Sequence, residues 1–302
     1  MLTVLAAVAA LQLPANPAQA AAAQAIGATA PIHFDFGRRP SNLGPDGAGK
    51  GGQPPITVAF HGGPVQVTTT PYLIWWLPPG QTLPSNYQQV VGNYFNDIGG
   101  SALYNVLTAY SGSNGQIANS VTPGGAWTDT TAYPKVIGYR DVVQSVKRAI
   151  AANPSWKLGT SSQLYVFTSQ SAPVSLTQFC AYHTYFTHKS MDVVYAYIPD
   201  PVNVDGCQTP FNVSPNKDLD VDSATTSINH EQAEMASDPL ISSWYSDSDN
   251  PNLKGAEIAD VCVYDFGIPF KADGANMVFA NGDEYVVQAL FDNSTGLCEP
   301  TL

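Results

Sequence analysis

The sequence predicts a mixed α/β domain, because short apolar runs typical of buried strands alternate with segments that carry apolar residues at helical spacing. The runs at Tyr72–Leu77, Leu164–Thr168 and Val193–Ile198 are the clearest strand signals. Apolar residues make up 44% of the 302 residues, which is enough for a sizeable core. We therefore expect one globular domain with a mixed sheet.

The N-terminal part predicts export. An apolar stretch opens the chain, and Ala18-Gln19-Ala20 matches the small-residue pattern of a signal-peptide cleavage site. The following segment is rich in Ala, Gly and Pro and lacks periodicity, which is typical of a flexible leader. We expect a signal peptide at 1–20, a leader at 21–54 and a single domain at 55–302, in a secreted protein without a membrane anchor.

Local patterns predict the remaining elements in order along the chain. Further strands are expected at Ile56–Phe60 and Glu284–Phe291, and amphipathic helices at Asn86–Ile98 and Arg140–Ala152. Residues 111–134 are rich in Gly, Ser, Thr and Asn and predict a long loop. Asp218–Asp222 alternates Asp with Leu and Val, which predicts an edge strand followed by a helix that ends at Asp238-Pro239.

The amino-acid composition limits the classes of partner that the protein can bind. The net charge of −12 repels phosphate backbones and anionic lipid, so we expect no nucleic acid partner, and cations are the natural complement. Charged residues make up only 12% of the chain, which fits an extracellular protein. The four cysteines allow three pairings of two disulfides, and sequential pairing as Cys180–Cys207 and Cys262–Cys298 is favoured because it closes short loops.

The strongest chemical signal is the sequence His230-Glu231-Gln232-Ala233-Glu234. On a helix, His230 and Glu234 are four residues apart and project from one face, so both can bind one cation. Glu231 lies beside them, within reach of a metal-bound water. The arrangement resembles the zinc-peptidase motif H-E-x-x-H, with a carboxylate in place of the second imidazole. This predicts a zincin-like domain with a metal-site helix that binds zinc or another divalent cation.

A metal site needs further ligands. Glu257 follows Glu234 by a separation typical of zinc peptidases whose third ligand is a later glutamate, and Asp260 is an alternative ligand or an orienting group. His183 is a rival third ligand or a donor to the transition state. In a hydrolase, the metal would activate water, and Glu231 would take its proton as general base. The predicted catalytic residues are therefore Glu231 and His183.

A second cation site is possible elsewhere. Asp247, Asp249 and Asn252 place oxygen atoms at alternating positions and suggest a calcium loop, although the twelve-residue EF-hand pattern is incomplete. Asp218, Asp220 and Asp222 would share one face of the predicted edge strand, where they bind a cation or protect the sheet edge.

Several segments together resemble the EXORDIUM / phosphate-induced protein 1 family. The matching pieces are FHGGPV at 60–65, YLIWW at 72–76, FCAYHTYF at 179–186, VVYAYIPD at 193–200, HEQAEMASDP at 230–239 and EIADVC at 257–262. The resemblance implies an extracellular or cell-wall-associated protein, with the motif helix as a shared family feature. The low content of basic residues looks more microbial than plant-like.

Two functions remain open from the sequence. The first is a secreted metal-dependent hydrolase, a zinc peptidase-like protein acting on peptides. The second is a non-catalytic extracellular protein with a structural or degenerate metal site, which binds a cell-wall or other extracellular polymer. Glu231 favours the first, because a structural site needs no general base, whereas Glu234 at the second ligand position favours the second.

Overall fold

A six-stranded mixed sheet organises the protein. The computed structural model describes residues 32–33, 57–174, 179–201, 206–250, 253–267 and 271–299. The strands are β1 (Ile32–His33), β2 (Ala59–Phe60), β3 (Thr70–Trp76), β4 (Ser111–Gly112), β5 (Gly115–Gln116), β6 (Gly125–Asp129), β7 (Ser162–Thr168), β8 (Tyr182–His188), β9 (Met191–Ile198), β10 (Trp244–Tyr245), β11 (Met277–Val278), β12 (Glu284–Tyr285), β13 (Leu290–Asp292) and β14 (Leu297–Glu299). The α-helices are α1 (Tyr87–Asp97), α2 (Ala102–Asn105), α3 (Tyr139–Ala152) and α4 (Leu219–Ser237).

The strand order of the main sheet is β1-β8-β9-β7-β3-β6. Strands β9, β7, β3 and β6 are parallel neighbours, whereas β8 and β1 pair antiparallel at one edge. Central parallel strands are covered on both faces, which is why they read as continuous apolar runs. The predicted mixed α/β class with a mixed sheet is therefore confirmed.

Alternating side chains of the sheet enter two apolar clusters, one on each face. Trp75 and Phe167 belong to the cluster that includes α1 and α4, whereas Ile74 and Val166 belong to the cluster that includes α3. The predicted helices at 86–98 and 140–152 are confirmed within one residue at each end as α1 and α3. Their apolar stripes cover opposite faces of the sheet, as their spacing indicates.

Helix α4 is a buried central helix, and every residue from Val221 to Ser237 is buried. Some of its polar side chains are satisfied by neighbouring backbone: Thr226 Oγ1 donates to the Val286 carbonyl at 2.8 Å, and Asn229 Nδ2 donates to the Gln288 carbonyl at 3.0 Å. Such pairing is necessary because an unpaired buried donor is costly. The helix ends before Asp238-Pro239, as predicted.

Two predictions of local structure are wrong. Asp218–Asp222 is the start of α4 and not an edge strand: Asp218 is the N-cap, and its carboxylate accepts from the backbone N–H groups of Asp220 and Val221. Acidic residues in the first turn are stabilised by the helix dipole, which explains the aspartates without a cation. The three aspartates therefore do not share one strand face.

The segment 111–134 is not only a loop, because it contains the β4–β5 hairpin and β6. Strand β6 forms the edge of the main sheet beside β3, and most of its side chains are exposed. A half-exposed edge strand has no apolar run, which is why its composition predicted a loop. The predicted strand at 284–291 is likewise divided into β12 and β13.

The termini only partly fall within the described residues. Ile32–His33, inside the predicted leader, pairs its backbone with His183 and Tyr182 of β8. The predicted signal peptide and the rest of the leader lie outside the described residues, so the domain boundaries stay a prediction. No helix in the described part of the chain is long and apolar enough to cross a membrane.

Both favoured disulfides are confirmed. Cys180 is bonded to Cys207, and Cys262 is bonded to Cys298, with Cα–Cα distances of 5.3 and 5.7 Å. The second bond ties the short 3-10 helix at Asp260–Cys262 to strand β14. It therefore fixes a segment that carries two of the predicted site residues, Glu257 and Asp260.

Candidate metal centre

The face of α4 that carries the motif lies against the main sheet. His230, Glu231 and Glu234 project from this helix, which packs on β8 and β9. His183 of β8 is paired in register with Ala196 of β9, so a small side chain stands beside the imidazole on the same face of the sheet. This leaves room for the helix and points the imidazole of His183 at its carboxylates.

Six predicted site residues form one cluster, which we call the His–carboxylate cluster: His183, His230, Glu231, Glu234, Glu257 and Asp260. His183, His230 and Glu257 are 0% exposed, and Glu231 and Glu234 are 1% exposed. Only the Asp260 side chain, 18% exposed, reaches toward solvent. The cluster is thus closed off from water on all sides but one.

Glu234 is the centre of the cluster, since its two oxygen atoms face different histidines. Its Oε2 lies 3.4 Å from His183 Nδ1, and its Oε1 lies 3.0 Å from His230 Nε2. The Oε1 atom also accepts a hydrogen bond from the Asp260 backbone N–H at 3.2 Å. The i, i+4 pair of the sequence motif therefore does meet, and Glu234 links it to His183 as well.

Two sets of three residues have the spacing of metal ligands. His183, Glu231 and Glu234 form one set, and their ligand atoms lie within 4.8 Å of one another. His230, Glu234 and Asp260 form the other, within the same limit. Glu257 belongs to neither set, and its Oε2 lies 3.8 Å from His183 Nε2. Each set offers one nitrogen and two carboxylates, a mixture that suits zinc and similar divalent ions.

The cluster has more acid than base, and this shifts its pKa values. Burial lowers the pKa of His183, but contacts with Glu231 and Glu234 outweigh it and raise this pKa to about 10. For Glu234, burial acts to raise the pKa, yet the charges of His230 and His183 lower it to about 2. Burial, followed by repulsion from Glu234, raises the pKa of both Glu257 and Asp260.

Other predicted features lie apart from this cluster. Asp238 closes the turn after α4, where its Oδ1 accepts from the backbone N–H groups of Ser242 and Ser243. For the predicted calcium loop, Asp247 Oδ1 lies 3.6 Å from His61 Nε2, and Asn252 lies outside the described residues. The calcium site stays a prediction.

A surface pocket of about 290 Å³ includes none of the cluster residues. It is lined by Pro64, Val65, Thr160, Ser190, Met191, Asp192, Val194, Pro239 and Leu240. Two of these residues follow the end of α4, but the motif face of the helix does not open into the pocket. The described structure therefore shows a buried polar centre and a separate, mainly apolar surface depression.

Comparison with known proteins places the chain in a family. Two proteins from Arabidopsis thaliana are similar to this chain. Protein EXORDIUM-like 3 is 29% identical over an alignment that covers 51% of this chain and 46% of the relative. Protein EXORDIUM-like 5 is 25% identical over an alignment that covers 68% of this chain and 64% of the relative. The chain thus spans about half the length of the first and under two thirds of the second. No solved structure matches. The family model for the phosphate-induced protein 1 conserved region matches residues 100–301, which include the whole His–carboxylate cluster. The chain therefore belongs to the phosphate-induced protein 1 family.

Proposed function

We propose that this protein is a non-catalytic extracellular protein in which a divalent cation, held by His230, Glu234 and Asp260, stabilises the fold. The burial of the cluster carries the proposal. A hydrolytic centre needs a cleft that admits a substrate beside the metal, whereas here three of the six side chains are fully buried and two are 1% exposed. A cation in such a place contributes to folding, because the unfolded chain cannot hold it.

The charge of the cluster supports a bound cation. The structure buries Glu231, Glu234 and Glu257 beside Asp260, and among the described residues of the cluster two imidazoles can compensate them. With all four acids ionised, negative charge would remain in excess even if both histidines were protonated, and uncompensated buried charge is strongly unfavourable. A divalent cation adds positive charge that the imidazoles lack, and zinc fits the nitrogen and oxygen ligands of the group.

The extracellular location rests on export and redox arguments. The predicted cleavage site precedes the domain, and all four cysteines are paired in disulfides. Stable disulfides are typical of oxidising compartments. We propose that the partner is a cell-wall or other extracellular polymer. Because the protein carries a net negative charge, it would bind neutral hydrogen-bonding groups of the polymer and not its anionic groups.

The test is metal analysis of the exported, purified chain combined with thermal unfolding. We expect a bound divalent cation and a melting temperature that falls on addition of a chelator. His230→Ala should lose the cation held by His230, Glu234 and Asp260 and weaken the response to chelator, whereas the surface control Glu284→Gln should behave as the wild type. Absence of metal together with an unchanged melting temperature in chelator would overturn the proposal.

A second candidate is the zinc peptidase-like hydrolase with zincin-like architecture. Glu231 favours it, because this carboxylate lies next to His230 and Glu234 without being part of their set. A hydrolase requires that Glu231→Gln retain the metal and lose activity. Chelator-sensitive cleavage in a peptide library by the wild type, absent in this metal-loaded variant, would replace the first proposal by the second.

A further inference from the structure

We propose that the cluster binds two divalent cations, with Glu234 as the bridging ligand and His183 and Glu231 as ligands of the second ion. This extends the proposed function, on which it rests, and assigns a role to the two residues that the sequence suggested as catalytic. The first ion is the one held by His230, Glu234 and Asp260. The second would lie in the set formed by His183, Glu231 and Glu234.

Two carboxylates lie close to a single imidazole nitrogen of His183. His183 Nδ1 lies 3.1 Å from Glu231 Oε2 and 3.4 Å from Glu234 Oε2. A ring nitrogen carries at most one proton, so it can donate one well-directed hydrogen bond and not two. Two carboxylate oxygens converging on one nitrogen is instead the arrangement that ligands adopt around a shared cation.

The distances between the candidate ligand atoms also match those between the ligands of a bound zinc ion. Two ligand atoms that bind a tetrahedral zinc ion at about 2.0–2.1 Å are separated from each other by about 3.4 Å. The distances from the histidine nitrogen to the two carboxylate oxygens are 3.1 and 3.4 Å in the second set and 3.0 and 3.5 Å in the first, and all ligand atoms of each set lie within 4.8 Å of one another. The same pattern thus occurs twice, on the two sides of Glu234, with one oxygen of this residue in each set.

Glu257 supplies an independent observation. It is fully buried, and neither of its carboxylate oxygens has a hydrogen-bond partner among the described residues. His183 Nε2 likewise has none and lies 3.8 Å from Glu257 Oε2. If His183 binds a cation through Nδ1, its Nε2–H is directed at Glu257, and closing by about 1 Å would make the hydrogen bond that metal-binding histidines usually donate.

Charge balance favours two ions over one. A histidine that binds a metal is neutral, so His183 and His230 then contribute no positive charge. Glu231, Glu234, Glu257 and Asp260 carry four negative charges when ionised, and two divalent cations balance them. A single cation bound through His230 would leave a buried excess of one negative charge even with His183 protonated, which is unfavourable in a low-dielectric interior.

The decisive measurement is the amount of Zn²⁺ per chain after saturation and dialysis of the full exported protein. We expect two equivalents. One equivalent would overturn the second ion and leave the proposed function intact, whereas none would overturn both. The three outcomes therefore separate failure of this inference from failure of the proposal beneath it.

Single substitutions assign the ions to their ligands. Glu231→Gln should reduce the content from two equivalents to one by removing a ligand of the second set, and Asp260→Asn should do the same for the first. Asp222→Asn is the matched control, because it neutralises a buried carboxylate on the same helix and should retain both ions. Two equivalents in Glu231→Gln would overturn the assignment.

A spectroscopic measurement on the unsubstituted protein avoids any folding defect of the variants. With Mn²⁺ as the probe, a pair bridged by Glu234 should give the electron paramagnetic resonance signal of exchange-coupled ions. The spectrum of Glu231→Gln should revert to that of isolated Mn²⁺. A signal of isolated ions only, in wild-type protein that has bound two equivalents, would show that Glu234 does not bridge them.

Discussion

Two of the regions that bury carboxylates in the described structure neutralise them differently. At the end of β6, Asp129 accepts from Arg148 Nη2 at 2.6 Å and from Ser145 Oγ at 2.7 Å, both through Oδ2, while its Oδ1 accepts from the Thr131 backbone N–H at 3.0 Å. One acid thus has one permanent cation and a full set of donors. In the His–carboxylate cluster, four acids share two imidazoles.

This difference shows what the chain can supply by itself. Burial acts to raise the pKa of Asp129, but hydrogen bonds from Arg148 and Ser145 outweigh burial and lower it. For Glu257, burial and repulsion from Glu234 both raise the pKa. A buried carboxylate with its own guanidinium is self-sufficient, whereas the cluster requires protons or external cations.

The largest expected effect is that of Glu234→Gln, which removes the residue that both histidines share. We expect a loss of about 3–5 kcal/mol in the free energy of unfolding, because the remaining buried charges lose their common partner. Urea unfolding in the presence of Zn²⁺ measures it. Glu284→Gln, at a surface pair with Lys271, is the control and should cost less than about 1 kcal/mol. An equally small loss in the free energy of unfolding for Glu234→Gln would mean that the two histidines do not depend on Glu234 for stabilisation.

Asp129→Asn should have the next largest effect, about 1–3 kcal/mol, because it removes the carboxylate charge that strengthens the hydrogen bonds donated by Arg148 and Ser145. Since this region holds no metal ligand, the difference between variant and wild type should be the same with and without chelator. Urea unfolding under both conditions tests this. If chelator changed the difference, the two regions would not be independent.

A pH series distinguishes the two kinds of buried acid. In metal-free protein, Glu257 holds its proton to a higher pH when folded than when unfolded, where its pKa is about 4.3. The wild type should therefore lose stability as the pH rises above that value, and Glu257→Gln, which cannot ionise, should become progressively more stable than the wild type.

Asp129 should show the opposite sign. Its pKa is lowered by folding, so its contribution is present at neutral pH and is lost as the pH falls through its folded-state pKa. The stability difference between wild type and Asp129→Asn should accordingly shrink in acid. Parallel pH profiles for Glu257→Gln and Asp129→Asn would contradict the contrast between the two regions.

The smallest expected effect is that of Arg148→Lys. The guanidinium directs Nε and Nη2 at the same Asp129 oxygen, at 3.0 and 2.6 Å, whereas an ammonium group presents a single charged centre. Because Arg148 is one third exposed, solvent screening limits the loss to less than about 1 kcal/mol. Thermal unfolding should therefore show only a small decrease in melting temperature.

The elements that the sequence predicted correctly share a physical basis. Strands β3, β7 and β9 are covered on both faces, so their sequences are continuous apolar runs. Helices α1 and α3 each cover one face of the sheet, so their apolar residues repeat at helical spacing. Helix α4 fits neither case, because it is buried all round and several of its buried side chains are polar, some of them bonded to neighbouring backbone. Its first turn was therefore misread as a strand.

The site was predictable as a set of residues but not as an arrangement. Spacing on a helix is a property of the backbone, so His230 and Glu234 could be paired from the sequence alone. Which later carboxylate lies next to this pair depends on the path that the chain takes after α4. The structure places Asp260 with His230 and directs Glu257 toward His183, because the disulfide of Cys262 fixes that segment beside the helix.

By itself, the sequence determined the class of fold and a helix with an imidazole and a carboxylate on one face, and it favoured the disulfide pairing that the structure shows. These follow from local periodicity and from short loop closure, which involve few residues at a time. Only the tertiary structure decided that Glu234 faces two histidines and that His183, from a strand, completes a second set of candidate ligands. The register of β8 against β9 and the docking of α4 on the sheet set those distances, and both depend on packing across the whole domain.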